Sequence, residues 1–125
     1  MSPPPVVRLL RRFRFDAAHR LPRHPGRCRH LHGHGYELEV VCEGPVEPTT
    51  GMLVDFADLE REVRERVLAH VDHTDLNGLL ENPTAENLVV WIWDRLAEGD
   101  LPLVELRLNE TPTCAVVYRG RRAHG

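Results

Sequence analysis

The chain has 125 residues, 42% hydrophobic and 28% charged, with a formal net charge of -3; this is the composition of one compact domain and excludes disordered and collagenous classes. No run of about 18 consecutive apolar residues could span a bilayer. All 16 basic residues are arginine, so Schiff-base and lysine general-base chemistry have no candidate.

In chain order, Met1 to Val7 carries three prolines and no apolar h-region, so the expectation is a soluble protein with no removed leader. From Leu9 to His19 the odd positions Leu9, Arg11, Phe13, Phe15, Ala17 and His19 share one face of a strand by period two. Arg8, Arg11, Arg12 and Arg14 read as the wet side of that strand, the alternative being a nucleic-acid contact. Arg20 to Leu31 is a loop with Pro22, Pro25 and Gly26. A second strand over His32 to Cys42 puts His32, His34, Tyr36, Leu38, Val40 and Cys42 on one face.

Glu43 to Gly51 forms a connection, and Asp55 is an N-cap for a helix from Phe56 to about His70 with Leu59, Val63 and Val67 buried. A second helix opens at Thr84 after Pro83, runs to Glu98, and buries Leu88, Trp91, Ile92 and Leu96. Two strands close the domain: one with Val104, Leu106, Leu108 and Glu110 on a common face, and one over about Cys114 to Tyr118, before a frayed tail from Gly120. The order ββααββ implies an α+β domain, an antiparallel sheet with both helices on one face, occupying residues 1–125 with its core at about 8–120. Cys28, Cys42 and Cys114 are an odd number in no framework spacing, which points to a reducing compartment, the cytoplasm by default.

Four features carry chemistry. His32 and His34 lie on one strand face about 6.5 to 7 Å apart at Cβ, and antiparallel pairing with the preceding strand brings His19 beside them. Three neutral imidazoles with one position left open match a catalytic zinc. His30 has the opposite parity, and it and His24 stay outside that set. Cys28, between Arg27 and Arg29 in a polar loop, is a candidate acid/base or nucleophile. Cys42 and Cys114, in apolar strand patterns, read as small buried hydrophobes. Asp72 beside His73 can hold an imidazole tautomer, although neighbours in an extended run do not easily hydrogen-bond; the alternative is a histidine at a helix C-terminus. Glu110 puts a carboxylate on an apolar face, where a ligand with two adjacent N–H donors would satisfy it, unless the strand ends at Asn109 and the carboxylate is solvated.

Six motifs then carry a resemblance. Phe15-Asp16-Ala17-Ala18-His19, Cys28-x-x-x-His32-Gly33-His34, Gly51-Met52-Leu53-Val54-Asp55-Phe56, Asp72-His73-x-x-Leu76-Asn77, Pro83-Thr84-x-Glu86-Asn87 and Glu110-Thr111 resemble, in order and spacing, the 6-pyruvoyl-tetrahydropterin synthase family. The resemblance runs from about Phe13 to Arg119. It implies a T-fold (tunnelling fold) and a homohexamer with interfacial active sites. It implies Zn2+ on His19, His32 and His34, catalysis by Cys28 with Asp72 and His73, and a pterin ring anchored by Glu110 with help from Thr84 and Thr111. The Cys28 spacing and Trp91-Ile92-Trp93-Asp94 resemble the family's queuosine-pathway branch, the 6-carboxy-tetrahydropterin synthases. That branch implies conversion of 7,8-dihydroneopterin triphosphate to 6-carboxy-5,6,7,8-tetrahydropterin with release of acetaldehyde and triphosphate. Arg23, Arg27 and Arg29 are reasonable triphosphate contacts by guanidinium geometry alone.

His30 and Asn109 depart from the usual pattern without disturbing the zinc motif. The rival readings are the sister reaction that leaves the carbon-carbon bond intact, an aldolase-like variant, and a zinc- or pterin-binding protein without turnover. A nucleic-acid module is disfavoured by the acidic balance and the lack of an aromatic-basic platform.

Overall fold

A computed structural model describes residues 2–121. The first two expected strands are β1 (Val6–His19) and β2 (His32–Pro45), each extending beyond the run that hydrophobic alternation marks. They pair antiparallel along their whole length, with Phe15 opposite Tyr36, Ala17 opposite His34 and His19 opposite His32. The odd positions of β1 and the even positions of β2 face the helices. Phe13, Phe15, Tyr36, Leu38 and Val40 are buried there, and the Phe15 and Tyr36 rings stack with centroids 4.8 Å apart. The opposite face carries cross-strand ion pairs, Arg8 with Glu43 and Arg12 with Glu39, while Arg11 reaches Glu60 on the helix side. These carboxylates neutralise most of the basic stretch of β1; exposed pairs of this kind add little stability each.

Asp55 caps the first helix by accepting from Ala57 N. The helix is not one regular α-helix: α1 (Phe56–Val63) passes into a π-turn over Arg64–Leu68 and then α2 (Ala69–Val71), with Ala69 N–H donating to Arg64 O. The cause is in the sequence. Leu59, Val63, Val67 and Val71 are all fully buried at successive spacings of four. Four residues of α-helix overshoot one turn by about 40°, so three such steps would carry the stripe off the core by roughly 120°. One wider turn returns Val67, Leu68 and Val71 to the sheet.

After α2 the chain adds a strand not anticipated from the sequence, β3 (Thr74–Asp75), which pairs parallel with Ala17 and Ala18 of β1. The sheet is therefore mixed, in the order β3-β1-β2-β4-β5, rather than purely antiparallel. At two residues, β3 is below the length that period-two patterning detects. Helix α3 (Ala85–Ala97) starts from an N-cap at Thr84 and buries Leu88, Val89, Ile92 and Leu96. Trp91 is half-buried rather than core, leaning on Arg95 and His70.

β4 (Leu103–Thr111) and β5 (Cys114–Tyr118) complete the sheet. The register shifts between Val41 and Cys42, which pair with Glu105 and Leu103, and leaves Val104 as the extra residue. Leu103 therefore packs against the core in place of the expected Val104, while Leu106 and Leu108 remain fully buried. Cys114 is exposed, against the expectation that it would be buried, because it sits where β5 leaves the Thr111 turn. Among the described residues no helix is long and apolar enough to cross a membrane. The frayed tail expected from Gly120 lies, from residue 122 on, outside the described residues.

Gly51 and Gly120 adopt φ of +73° and +90°. An alanine Cβ at 51 meets nothing within 4 Å, whereas one at 120 would fall 2.5 Å from Trp93 Cζ2. Urea denaturation should show Gly51→Ala costing about 1–2 kcal/mol, the left-handed penalty alone. Gly120→Ala should cost more and shift the Trp93 fluorescence.

Candidate active site

His19 ends β1, and His32 and His34 begin β2; the register of the two strands brings all three rings onto the helix-facing side. Ring centroids lie 4.6 Å (His19–His32), 5.0 Å (His19–His34) and 4.9 Å (His32–His34) apart, each pair edge to face. Their candidate ligand nitrogens all lie within 4.8 Å of one another. Backbone carbonyls orient two of the rings. His19 Nδ1 is 2.8 Å from Pro83 O, just before α3, and His32 Nδ1 is 2.7 Å from His30 O. A carbonyl only accepts, so each contact favours an Nδ1–H and an unprotonated Nε2. In that state the Nε2 atoms of His19 and His32 present lone pairs to each other at 3.1 Å.

His34 Nε2 is buried without a hydrogen-bond partner; the Glu110 carboxylate is 3.3 Å away but poorly aligned. Burial holds the pKa of both His19 and His34 below the usual histidine value, outweighing the opposing pull of the Pro83 carbonyl and then Glu110 on His19 and of Glu110 on His34, and favours the neutral, ligating form. Two ring nitrogens 3.1 Å apart and an orphaned third fit a divalent cation with nitrogen bonds of about 2.0–2.1 Å, which would take the place of any proton between them, and zinc suits an all-imidazole set.

Glu110 reaches this cluster through a β-bulge. Asn109 pairs with Ala115 and Thr111 with Cys114, which leaves Glu110 unpaired between them. A bulge re-aims a side chain, and here it directs a half-buried carboxylate at the histidines. Thr84 Oγ1 accepts from Asn87 N, and Thr111 Oγ1 accepts from Cys114 N, each at 3.1 Å. Both hydroxyls thus serve a cap or a turn while keeping their own proton to donate.

Asp72 and His73 approach closely, with His73 Nδ1 2.9 Å from Asp72 Oδ1, but the ring N–H is not aligned for a hydrogen bond, in keeping with the expectation for adjacent residues. The approach goes with a His73 φ of +58°, the left-handed conformation. Asp16 of β1 holds this geometry by its backbone. Its N–H donates to Asp72 Oδ1 at 3.0 Å, and its carbonyl accepts from His73 N at 2.6 Å. Asn77 similarly brackets Arg20, the residue after His19, with bonds of 2.8 and 2.9 Å.

His34 and His73 line one open groove of about 550 Å³ with Asp16, Gly33 and Gly35. Cys28 is not among its lining residues; it is half-buried in a short turn, Arg27–Arg29. The single chain therefore brings the histidine triplet, Glu110 and the Asp72–His73 pair to one end of the sheet, with Cys28 on the loop beside it. Of the loop arginines, Arg23 pairs with Glu81 at 2.7 Å. His24 accepts from Gly26 N and so supports its own turn. Sequence reasoning passed over Pro83 O, His30 O, Asp16 and Tyr36. The backbone groups leave no residue-type signal, but Tyr36 has one: a polar tip two positions after His34 on the same face.

The family described as 6-pyruvoyl tetrahydropterin synthase matches residues 8–121. A 6-carboxy-5,6,7,8-tetrahydropterin synthase of Synechocystis sp. is 39% identical over 117 residues, covering 88% of this chain and 91% of the relative. A 6-pyruvoyl tetrahydrobiopterin synthase of Drosophila melanogaster is 34% identical, covering 96% and 83%. The solved structure of Caenorhabditis elegans 6-pyruvoyl tetrahydropterin synthase superposes with a TM-score of 0.88 at 32% identity, covering 97% of this chain and 100% of that one.

The three thiols differ in environment. Burial pushes the Cys42 thiol up to about 11, whereas Cys28 is half-buried and Cys114 exposed. A maleimide at neutral pH should label Cys114 and Cys28 in the folded protein and Cys42 only after denaturation, read by peptide mass spectrometry.

Proposed function

The chain belongs to the 6-pyruvoyl tetrahydropterin synthase family, and we propose that within it the protein is a zinc-dependent lyase acting on 7,8-dihydroneopterin triphosphate. With water as the second substrate, which supplies an oxygen of the new carboxylate, its products are 6-carboxy-5,6,7,8-tetrahydropterin, acetaldehyde and triphosphate, an activity of queuosine biosynthesis. The observation that carries the metal part is the approach of His19 Nε2 and His32 Nε2 to 3.1 Å beside the orphaned His34 Nε2. The choice of product rests on the likeness to the Synechocystis relative.

His19, His32 and His34 hold the metal in this reading. Zinc, when bound, supplies Lewis acidity toward the side-chain oxygens of the substrate. Glu110 accepts two parallel N–H bonds from the amino-pyrimidinone edge of the pterin, which fixes the ring and excludes water from that edge. Asp72 lies beside Nδ1 of His73 and favours a proton there, leaving Nε2 to accept or return one. Cys28 exchanges protons with the substrate side chain from the loop. Expulsion of triphosphate needs no redox partner, because the ring gains the hydrogens that the side chain loses.

The site is open on one side in a single chain, and two features support closure by further copies, as a homohexamer. Among the described residues β1 has no strand neighbour along Val6 to Asp16 on its outer side, and Val6, Leu10 and Val117 are 64%, 49% and 55% exposed on the sheet. Unpaired strand edges of this length seek partners. Cys28, Cys42 and Cys114 remain unpaired, which suits a reducing, cytoplasmic setting.

A second reading is synthesis of the 6-pyruvoyl product with the carbon-carbon bond intact, favoured by the likeness to the Drosophila relative. Product analysis separates the two. Zinc-loaded protein incubated with dihydroneopterin triphosphate should give a 6-carboxy pterin by mass spectrometry and equimolar acetaldehyde, and chelation should abolish turnover until zinc is restored. Cys28→Ala should lower kcat by about 10²- to 10⁴-fold. Glu110→Gln should act mainly on KM, by about 10-fold or more, the weight of a charged hydrogen bond. A pyruvoyl product without acetaldehyde would establish the second reading, and a Cys28→Ala variant as active as the parent would remove Cys28 from the mechanism.

A further inference from the structure

Tyr36 lies under the histidine triplet and is fully buried. Its ring stacks on Phe15 and meets His19 and His34 edge to face at 6.3 and 5.7 Å. Its hydroxyl is 3.2 Å from His19 Nδ1, the same nitrogen that lies 2.8 Å from Pro83 O. One ring nitrogen thus faces both a group that can only accept and a group that can donate.

With the phenol as donor the two contacts favour opposite tautomers; in the Nδ1–H form the phenolic oxygen is at best a second, shared acceptor for that proton. If His19 carries its proton on Nδ1, Pro83 O is satisfied, Nε2 is free to ligate, and the phenolic proton has no acceptor on His19. If His19 carries it on Nε2, a continuous chain forms from Tyr36 O–H to His19 Nδ1, from His19 Nε2–H to His32 Nε2 at 3.1 Å, and from His32 Nδ1–H to His30 O at 2.7 Å. That chain satisfies three side chains and leaves only Pro83 O short of a donor. It also replaces the repulsion between two facing lone pairs with a hydrogen bond. A buried phenol is costly to leave without an acceptor, and burial keeps Tyr36 protonated by pushing its pKa well above the usual tyrosine range.

We propose that His19 is a two-state tautomer switch: Tyr36 holds it as the Nε2–H form when no metal is present, and metal binding moves the proton to Nδ1, where Pro83 O receives it. The exchange has no net gain or loss of protons: the Nε2–H bond breaks and releases its proton to solvent, and an Nδ1–H bond forms on the same ring with a proton taken up from solvent, Tyr36 keeping its own. Tyr36 is a positioning residue, acting on the metal through His19. The inference rests on the metal assignment above, and its consequence is a tax on metal affinity, because binding must first break the Tyr36-to-His32 chain.

The test is long-range ¹H–¹⁵N correlation of the histidine rings in the full chain, metal-free and with one equivalent of zinc, together with zinc affinity by chelator competition. The parent should show His19 protonated at Nε2 without metal and at Nδ1 with zinc. Tyr36→Phe should show Nδ1–H in both states and bind zinc about five-fold more tightly, the weight of one net hydrogen bond. Phe15→Leu, which loosens the same stack but keeps the hydroxyl, should leave the metal-free tautomer as in the parent. An Nδ1–H form in the metal-free parent overturns the switch whether or not Tyr36→Phe folds. So does a Tyr36→Phe variant that remains Nε2–H. Failure of the parent to bind zinc would refute the metal assignment alone, since the metal-free tautomer still reports whether Tyr36 holds His19.

Discussion

The antiparallel register of β1 against β2 is the constraint from which the site follows. With His19 opposite His32 and Ala17 opposite His34, three imidazoles from two strands fall on one face. The same register stacks Phe15 on Tyr36 and carries the buried run Phe13, Leu38 and Val40 away from the site. A slip of one residue would move every one of these side chains to the opposite face. The hydrophobic core and the histidine cluster are therefore specified by one pairing: the apolar residues that bury the sheet also set the phase of the polar residues at its end.

Around that pairing, backbone groups do much of the positioning. Pro83 O and His30 O address the outer nitrogens of two rings, and the N–H and carbonyl of Asp16 hold Asp72 and His73. Each of these groups belongs to a different element: the entry to α3, the loop before β2, and β1 itself. The site is consequently stiff at its base and open above, an arrangement in which ligand contacts can vary while the histidine nitrogens stay aimed. The Glu110 bulge follows the same logic, spending one ladder pairing to turn a carboxylate inward.

Most of this was legible in the sequence where periodicity carried it. Period two identified β1, β2 and the shared face of His19, His32 and His34, and helix caps marked Asp55 and Thr84. What escaped detection was local departure from period. Val104 was expected in the core, but a bulge gave the place to Leu103. The two-residue β3 lies below any pattern length, and its parallel pairing depends on where the preceding helix ends. The close approach of Asp72 to His73, short of a hydrogen bond, depends on a left-handed backbone at residue 73 that no residue type announces. Cys114 followed an apolar pattern yet is exposed, because a strand at the edge of the sheet beside a turn has little to cover it.

The π-turn at Arg64–Leu68 has a consequence for how the chain tolerates insertions and deletions. It sits between Asp55, which fixes the start of the helix, and Val71, whose burial fixes its end, directly before Asp72 and His73. Removing a single residue there would leave a plausible, regular α-helix by every local criterion. Because the π-turn already holds one residue more than a regular α-turn, the loss would be taken up there, and Val71, Asp72 and His73 would keep their facing toward the sheet. A second deletion has no such slack: it would rotate everything after it by about 100° and draw it back by about 1.5 Å, taking the Asp72–His73 pair out of the reach of Asp16. The wide turn is thus a reserve of one residue between the helix start and the pair that follows its end.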